Sequence, residues 1–135
     1  RTLAAALNVQ SLHSFALRIQ ESCARSDQPQ ARMRLFAKAY LAFQQDEPEL
    51  WALLFESGMG ADTQEYAEAV ISVFEPVVES LKPLACSREA ARQDAKIIWA
   101  ALHGMCLLKK HAQLDVEEAD PLEALVERFL QRYLP

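Results

Sequence analysis

Three glycines among 135 residues leave little material for a turn-rich sheet, and long helices are what so few glycines favour. Cysteine is equally sparse. Cys23, Cys86 and Cys106 are odd in number, unrelated in spacing and without a CxxC pair, which argues against a disulfide framework and for a reducing, cytoplasmic setting. No apolar run reaches the roughly 18 residues needed to span a bilayer, and no signal-peptide pattern opens the chain, so no membrane partner is expected. A basic excess is missing too. Net charge is −5, and pairs such as Arg32 with Arg34 or Lys109 with Lys110 suit a solvated helix face better than a phosphate footprint. This stretch of chain is not expected to bind DNA by itself. The signals of catalysis are absent as well: there is no phosphate-cradling glycine loop, no close carboxylate dyad, and no Ser or Cys beside a His–acid pair. For a metal, the nearest arrangement is Cys106 three residues after His103, with His13 and His111 as remote partners. No HExxH, ExxH or paired-Cys spacing supports it, and neither a metal nor any other cofactor is expected.

What the chain does contain is ordinary for a globular domain: 51% hydrophobic and 24% charged residues, in a length suited to a single domain over 1–135. A domain of this size buries roughly two-thirds of its unfolded surface. Punctuation divides it into about six helices. The first runs from about Leu3 to Arg25, with Leu7, Leu12, Phe15, Ile19 and Cys23 on one side. A break at 26–29 follows, where Asp27 and Gln30 have capping-box spacing. The second helix, about Pro29 to Gln45, faces inward with Met33, Phe36, Ala37, Tyr40 and Phe43. Asp46-Glu47-Pro48 starts a short third helix that stops at Gly58-Met59-Gly60. Asp62 with Glu65 opens a fourth, reaching about Lys82 and holding Pro76, which removes one backbone bond and predicts a kink near Ser72–Pro76. Ser87 caps a fifth helix to about His111, and Asp120-Pro121-x-Glu123 starts the sixth with an N-cap, a Pro at N1 and an acidic N3.

The last two helices differ. The sixth carries one apolar stripe (Leu122, Leu125, Val126, Phe129, Leu130, Tyr133) opposite a charged face of Glu123, Glu127, Arg128 and Arg132. The fifth is apolar nearly all round from Ala95 to Leu108, as expected of a helix buried on every side. One side then meets the domain's own core and the other a second copy. Two helices from each subunit make a four-helix-bundle homodimer interface. The residues expected there are Ala95, Ile98, Leu102, Met105, Leu122, Leu125, Val126 and Phe129.

Within the fifth helix lies the most telling run, Ile97-Ile98-Trp99-Ala100-Ala101-Leu102-His103-Gly104. Trp99 and His103 are i,i+4 and share a face. Gly104 costs about 1 kcal/mol against Ala in a helix, so its presence suggests the close approach of another backbone or of a ligand. Together with Ala31–Phe43 and Glu47–Phe55, this run resembles the C-terminal domain of TetR-type (tetracycline-repressor-like) transcriptional regulators, and more narrowly the subgroup marked by a Trp…His-Gly signature. The matching features are Ala39-Tyr40 with Phe43 on one helix, a Glu47-Pro48 break, and a short helix ending in Leu54-Phe55. The two blocks cover about half the chain, and their joint order is more specific than either alone.

The resemblance implies an all-helical homodimer that senses a small apolar or aromatic effector, most simply as the regulatory half of a repressor. Operator DNA would be contacted only through an N-terminal helix-turn-helix domain preceding Arg1; the opening Arg1-Thr2-Leu3, without Met and already in helical register, reads as a fragment cut from a longer chain. The effector would occupy a cavity among the first four helices of this domain, where the family's sequences diverge most. The expected ligand-binding residues are Phe15, Tyr40, Phe43, Trp51, Phe55, Met59, Phe74, Trp99 and His103, with Leu12 beside them. Each aromatic on its own fits a filled core equally well; as a set they fit an aromatic-walled cavity with a few polar groups. His103 fits a ligand hydrogen bond or a core bond to a carbonyl or to Tyr40. Glu56, Glu68 and Glu75 are the acids nearest the set, and one turned inward favours a cation. The competing reading is a helical dimerisation module with a filled core, and an enclosed volume of about 300 Å³ or more is what separates the two.

Overall fold

The computed structural model describes residues 3–56 and 63–135, with backbone alone at 4 and 5. Among these residues the fold is all-α: α1 Leu3–Cys23, α2 Pro29–Asp46, α3 Pro48–Phe55, α4 Gln64–Leu81, a 3-10 turn at Lys82–Leu84, α5 Arg88–Lys110 and α6 Leu122–Tyr133. Among the described residues, no helix is long and apolar enough to cross a membrane.

Central to the packing is α2, which touches each of the other five helices, while α1 packs chiefly on α4. The reason is in its spacing. Met33, Phe36, Ala37, Tyr40, Leu41 and Phe43 recur at intervals of one to four residues and are all buried. From α1 come Leu12, Phe15, Ile19 and Cys23; from α4, Ala69, Val77, Val78 and Leu81; from α5, Ala91, Ala95, Ile98, Leu102 and Cys106. The sixth helix closes the core with Leu122, Val126 and Leu130 and is pinned to α2 from outside, where Arg34 Nε donates to both carboxylate oxygens of Glu127 at 2.9 and 3.0 Å.

Helix starts and stops follow local chemistry, with shifts of one or two residues from expectation. Pro29 and Pro48 occupy first-turn positions of α2 and α3, where a missing N–H costs nothing. Ser87 caps α5 as expected, its hydroxyl accepting from the Ala90 N–H at 3.0 Å. Asp27 does not cap α2. Its N-cap is Gln28, and the nearby side-chain bond is made by Ser26, whose hydroxyl accepts from the Gln28 N–H. The cap of α4 is Thr63, which accepts from the Tyr66 N–H at 3.1 Å; Asp62 lies outside the described residues. In α6 the N-cap falls on Pro121, one residue after Asp120, whose carbonyl accepts from the Lys109 ammonium at 3.0 Å.

The structure also reassigns the two faces of α5 and α6. Ala95, Ile98 and Leu102 are fully buried within the chain itself, and Leu122 and Val126 very nearly so, leaving a partner nothing to cover. Of the residues expected at a dimer interface, only Met105, Leu125 and Phe129 keep part of their surface. The apolar stripe left outside on α5 runs instead through Ile97, Ala101, Gly104 and Leu108, at spacings of three and four. Ile97 is 48% exposed and Leu108 41%. The sequence showed that α5 had more apolar surface than one core could use; it did not show which stripe the core took.

Candidate functional site

Phe55, the last residue of α3, is the hub of the aromatic cluster. Its ring lies 5.9–6.5 Å, centroid to centroid, from Phe15, Tyr40, Phe43, Trp51, Trp99 and His103. Phe15 stacks on Phe43 at 4.5 Å, and Phe74 reaches Trp99 at 6.5 Å. Five helices therefore bring eight of the nine expected ligand-site residues to one place; Met59 lies outside the described residues. Phe15, Tyr40, Phe43 and Trp51 are buried, forming the floor, whereas Phe55, Phe74, Trp99 and His103 are half-buried and border open space.

That space has two parts. The enclosed part is an apolar pocket of about 20 Å³ between α1, α2, α4 and α5, no larger than one water requires. Beside it, between α3, α4 and α5, opens a cleft of about 430 Å³. Phe55, Val70 and Trp99 line both and form the partition between them. Among the described residues, the space bordering the aromatic cluster is therefore mostly the open cleft rather than an enclosed cavity near 300 Å³. Sequence reasoning missed several of the walls. Val70, Val73 and Val77 line the enclosed pocket at a spacing of three and four that marks one face of α4. Ala95, expected at a subunit interface, lines it too. Tyr66 lines the cleft and donates its hydroxyl to the Leu54 carbonyl at 2.7 Å, tying α4 to the end of α3; nothing in its sequence neighbourhood marks it for that bond.

One polar chain crosses the cluster. The Trp51 Nε1–H donates to the Tyr40 hydroxyl oxygen at 3.2 Å, and that hydroxyl lies 3.3 Å from His103 Nδ1. The Trp51 and His103 rings stack at 5.0 Å. Proton bookkeeping sets the direction of the second bond. Tyr40 is 1% exposed, its oxygen faces the indole donors of Trp51 and Trp99, and among the described residues its single proton has one acceptor, His103 Nδ1. Reversing the bond, with Nδ1–H donating to Tyr40, strands a buried O–H at a cost of about 1–3 kcal/mol. Nδ1 is therefore the acceptor and the neutral ring carries its proton on Nε2. Burial pushes the Tyr40 hydroxyl far above its ordinary pKa, which keeps it protonated and donating. Burial also pulls the His103 pKa below its usual value, weakly opposed by the Glu56 carboxylate.

The acidic residues near the set are accounted for. Glu56 sits on the cleft rim but pairs with Lys110 at 3.4 Å, and the same ammonium lies 5.9 Å over the Trp51 ring. Glu75 pairs with Arg88, and Glu68 accepts from Gln64. Cys106 is buried beneath this region, and its thiol pKa is pushed up to about 12 by desolvation; burial raises the Cys23 thiol as well. Both are protonated, unreactive core groups. Among the described residues, no three His, Cys, Asp or Glu side chains gather in a way that could hold a metal ion. A separate groove of about 340 Å³ between α2 and α6 is bridged by Arg34–Glu127 and by a Gln45–Glu123 hydrogen bond, all on exposed side chains.

The sequence matches the model of the Tetracyclin repressor-like, C-terminal domain family over residues 33–133, and the chain belongs to that family. Its fold is similar to a solved protein of unknown function from Rhodococcus sp. RHA1, with a TM-score of 0.74 and 21% identity over 95% of this chain and 71% of that one. No curated protein matches the sequence.

Proposed function

We propose that this chain is the effector-sensing and dimerising domain of a TetR-type transcriptional regulator, most simply a repressor, and that residues 1–135 act as a single unit. Through Trp99 and His103-Gly104 it fits the Trp…His-Gly subgroup of that family. The observation that carries the sensing half is the cleft itself: about 430 Å³ of space with Phe55 and Trp99 as aromatic walls and His103 as a polar one. Apolar sites with a few placed polar groups are how small molecules are held and oriented. Ligand in the cleft would press on the partition formed by Phe55, Val70 and Trp99, which joins α3, α4 and α5. The sensing mechanism is then a population shift: ligand favours one packing of α4 against α1, and α1 passes that preference to the DNA-reading domain that precedes it in such regulators.

Support for the dimer comes from the outer stripe of α5 with Leu125 and Phe129 of α6. Gly104 is the sharpest point in it. A Cβ built at Gly104 meets nothing within 4 Å in the chain, so no intramolecular contact demands glycine there. A helix crossing from a second copy does, because two backbones approach closely only where side chains are absent. The competing reading, a dimerisation module with no ligand, draws on the small enclosed volume of about 20 Å³. Spectra of the two indole N–H groups, Trp51 and Trp99, separate the readings during titration with small neutral aromatic compounds. Sensing predicts saturable shifts of the Trp99 resonance; an indole spectrum indifferent to every such compound leaves only the module.

A further inference from the structure

We propose that the cleft takes a neutral, largely apolar molecule carrying one hydrogen-bond acceptor, such as a ketone, ester or amide, and that the Nε2–H of uncharged His103 is the donor that recognises it. The inference rests on the reading of the cleft as a ligand site and adds the chemistry of what enters it.

The polarity of the site follows from the chain of bonds beneath it. Trp51 donates to Tyr40, and Tyr40 donates to His103 Nδ1, so the remaining ring nitrogen carries the proton. His103 lines the cleft, and Nε2 has no hydrogen-bond partner among the described residues. A histidine free to exchange tautomers could offer a ligand either a donor or an acceptor. Here the buried Tyr40 proton removes that choice, and what is offered is a donor. The body of the ligand is specified by Leu54, Phe55, Val70, Trp99 and Ala100, which are largely hydrocarbon and aromatic, and by Tyr66, whose hydroxyl proton is already given to the Leu54 carbonyl. Its charge is specified by the rim. The one carboxylate there among the described residues, Glu56, is already paired with Lys110. An anion would meet that carboxylate, and a cation would meet the Lys110 ammonium paired with it. A neutral molecule does neither.

Four probes of nearly one shape test this: acetophenone as the neutral acceptor, α-methylstyrene as its isostere without an acceptor, benzoate as the anion and 1-phenylethylammonium as the cation. Affinities are read from indole N–H shifts at neutral pH, and the tautomer from imidazole nitrogen shifts of His103 in the free protein. The expected results are Nδ1 unprotonated in the free protein and acetophenone bound about fivefold or more tighter than α-methylstyrene, the ordinary worth of one neutral hydrogen bond. His103→Gln places an amide donor near the Nε2 position and keeps the preference. His103→Asn restores an acceptor for Tyr40 but puts no donor in the cleft, and loses it. Equal affinity for acetophenone and α-methylstyrene overturns the inference while leaving the cleft a binding site, as does tighter binding of benzoate or of the ammonium compound. Protonated Nδ1 in the free protein overturns it without reference to binding. No binding by any of the four overturns the ligand-site reading and this inference together.

Discussion

The Tyr40 hydroxyl has no surplus capacity: it accepts one bond, donates another and is sealed from water. Tyr40→Phe keeps the ring packing on Phe15, Phe36 and Phe55 but strands the Trp51 N–H in the core. The expected loss is about 1–3 kcal/mol of unfolding free energy, measured by urea denaturation, with no change of fold. His103 adds a pH dependence of definite sign. Its folded pKa lies below the unfolded value near 6.5, so the unfolded chain binds the proton more readily. This contribution to stability is fully present above that range and is lost as pH falls through it. Groups facing the ring are Tyr40, which donates to it, and Glu56 with its Lys110 partner, which softens the effect without reversing it. Thermal midpoints at about pH 7.5 and about pH 5.5 should fall further for the native chain than for His103→Gln, which has nothing to titrate there. Much at this scale was legible in the sequence. The pairs 40 and 43, 51 and 55, and 99 and 103 share helix faces, so their convergence follows from period alone. The bond from Tyr40 to His103 was one of the partners open to that histidine. Its direction was not legible, because it depends on Trp51 reaching the same oxygen from a third helix. Tyr66 gave no signal, since its hydroxyl finds a carbonyl 12 residues away by tertiary packing.

Among the elements, α5 shows both what periodicity fixes and where it stops. Its length, its Ser87 cap and its excess of apolar surface could be read from the residues. The burial stripe could not: Ala91, Ala95, Ile98, Leu102 and Cys106 compete on nearly equal terms with Ile97, Ala101, Met105 and Leu108 for a place inside, and the positions of α4, α2 and α6 decide. The caps expected at 27 and 120 fall one residue later for a related reason. A polar residue beside a helix start has several local partners, and Lys109 or Ser26 can claim the neighbouring backbone first. The end of α5 carries a separate prediction. The Gln113 N–H bonds the Leu108 carbonyl and the Ala112 N–H bonds that of Lys109, a Schellman pattern that places Ala112 at φ 57°. Left-handed backbone costs an L-residue roughly 1–2 kcal/mol and glycine little. Ala112→Gly should therefore raise stability by about 0.5–1 kcal/mol, read from the same denaturation curves, although glycine normally weakens a chain through its unfolded state.

For the whole molecule, α5 divides labour between two sides. At about 100° of rotation per residue, His103 and Gly104 point well apart although they are adjacent in sequence. His103 looks into the cleft with Trp99, and Gly104 looks out along the stripe of Ile97, Ala101 and Leu108. On the proposed reading, a sensing site and a subunit contact on two faces of one helix would give ligand a short physical route to the partner. The arrangement requires that the outer side really is covered by a second copy, with Gly104 at the crossing. Sedimentation equilibrium at micromolar concentration, run on the native chain and on Gly104→Leu, tests this most directly. Because a side chain at 104 meets only open space within the chain, the substitution should leave helix content unchanged. The account predicts twice the chain mass for the native protein and the single chain mass for Gly104→Leu. A native monomer, or a Gly104→Leu dimer as tight as the native one, would contradict it.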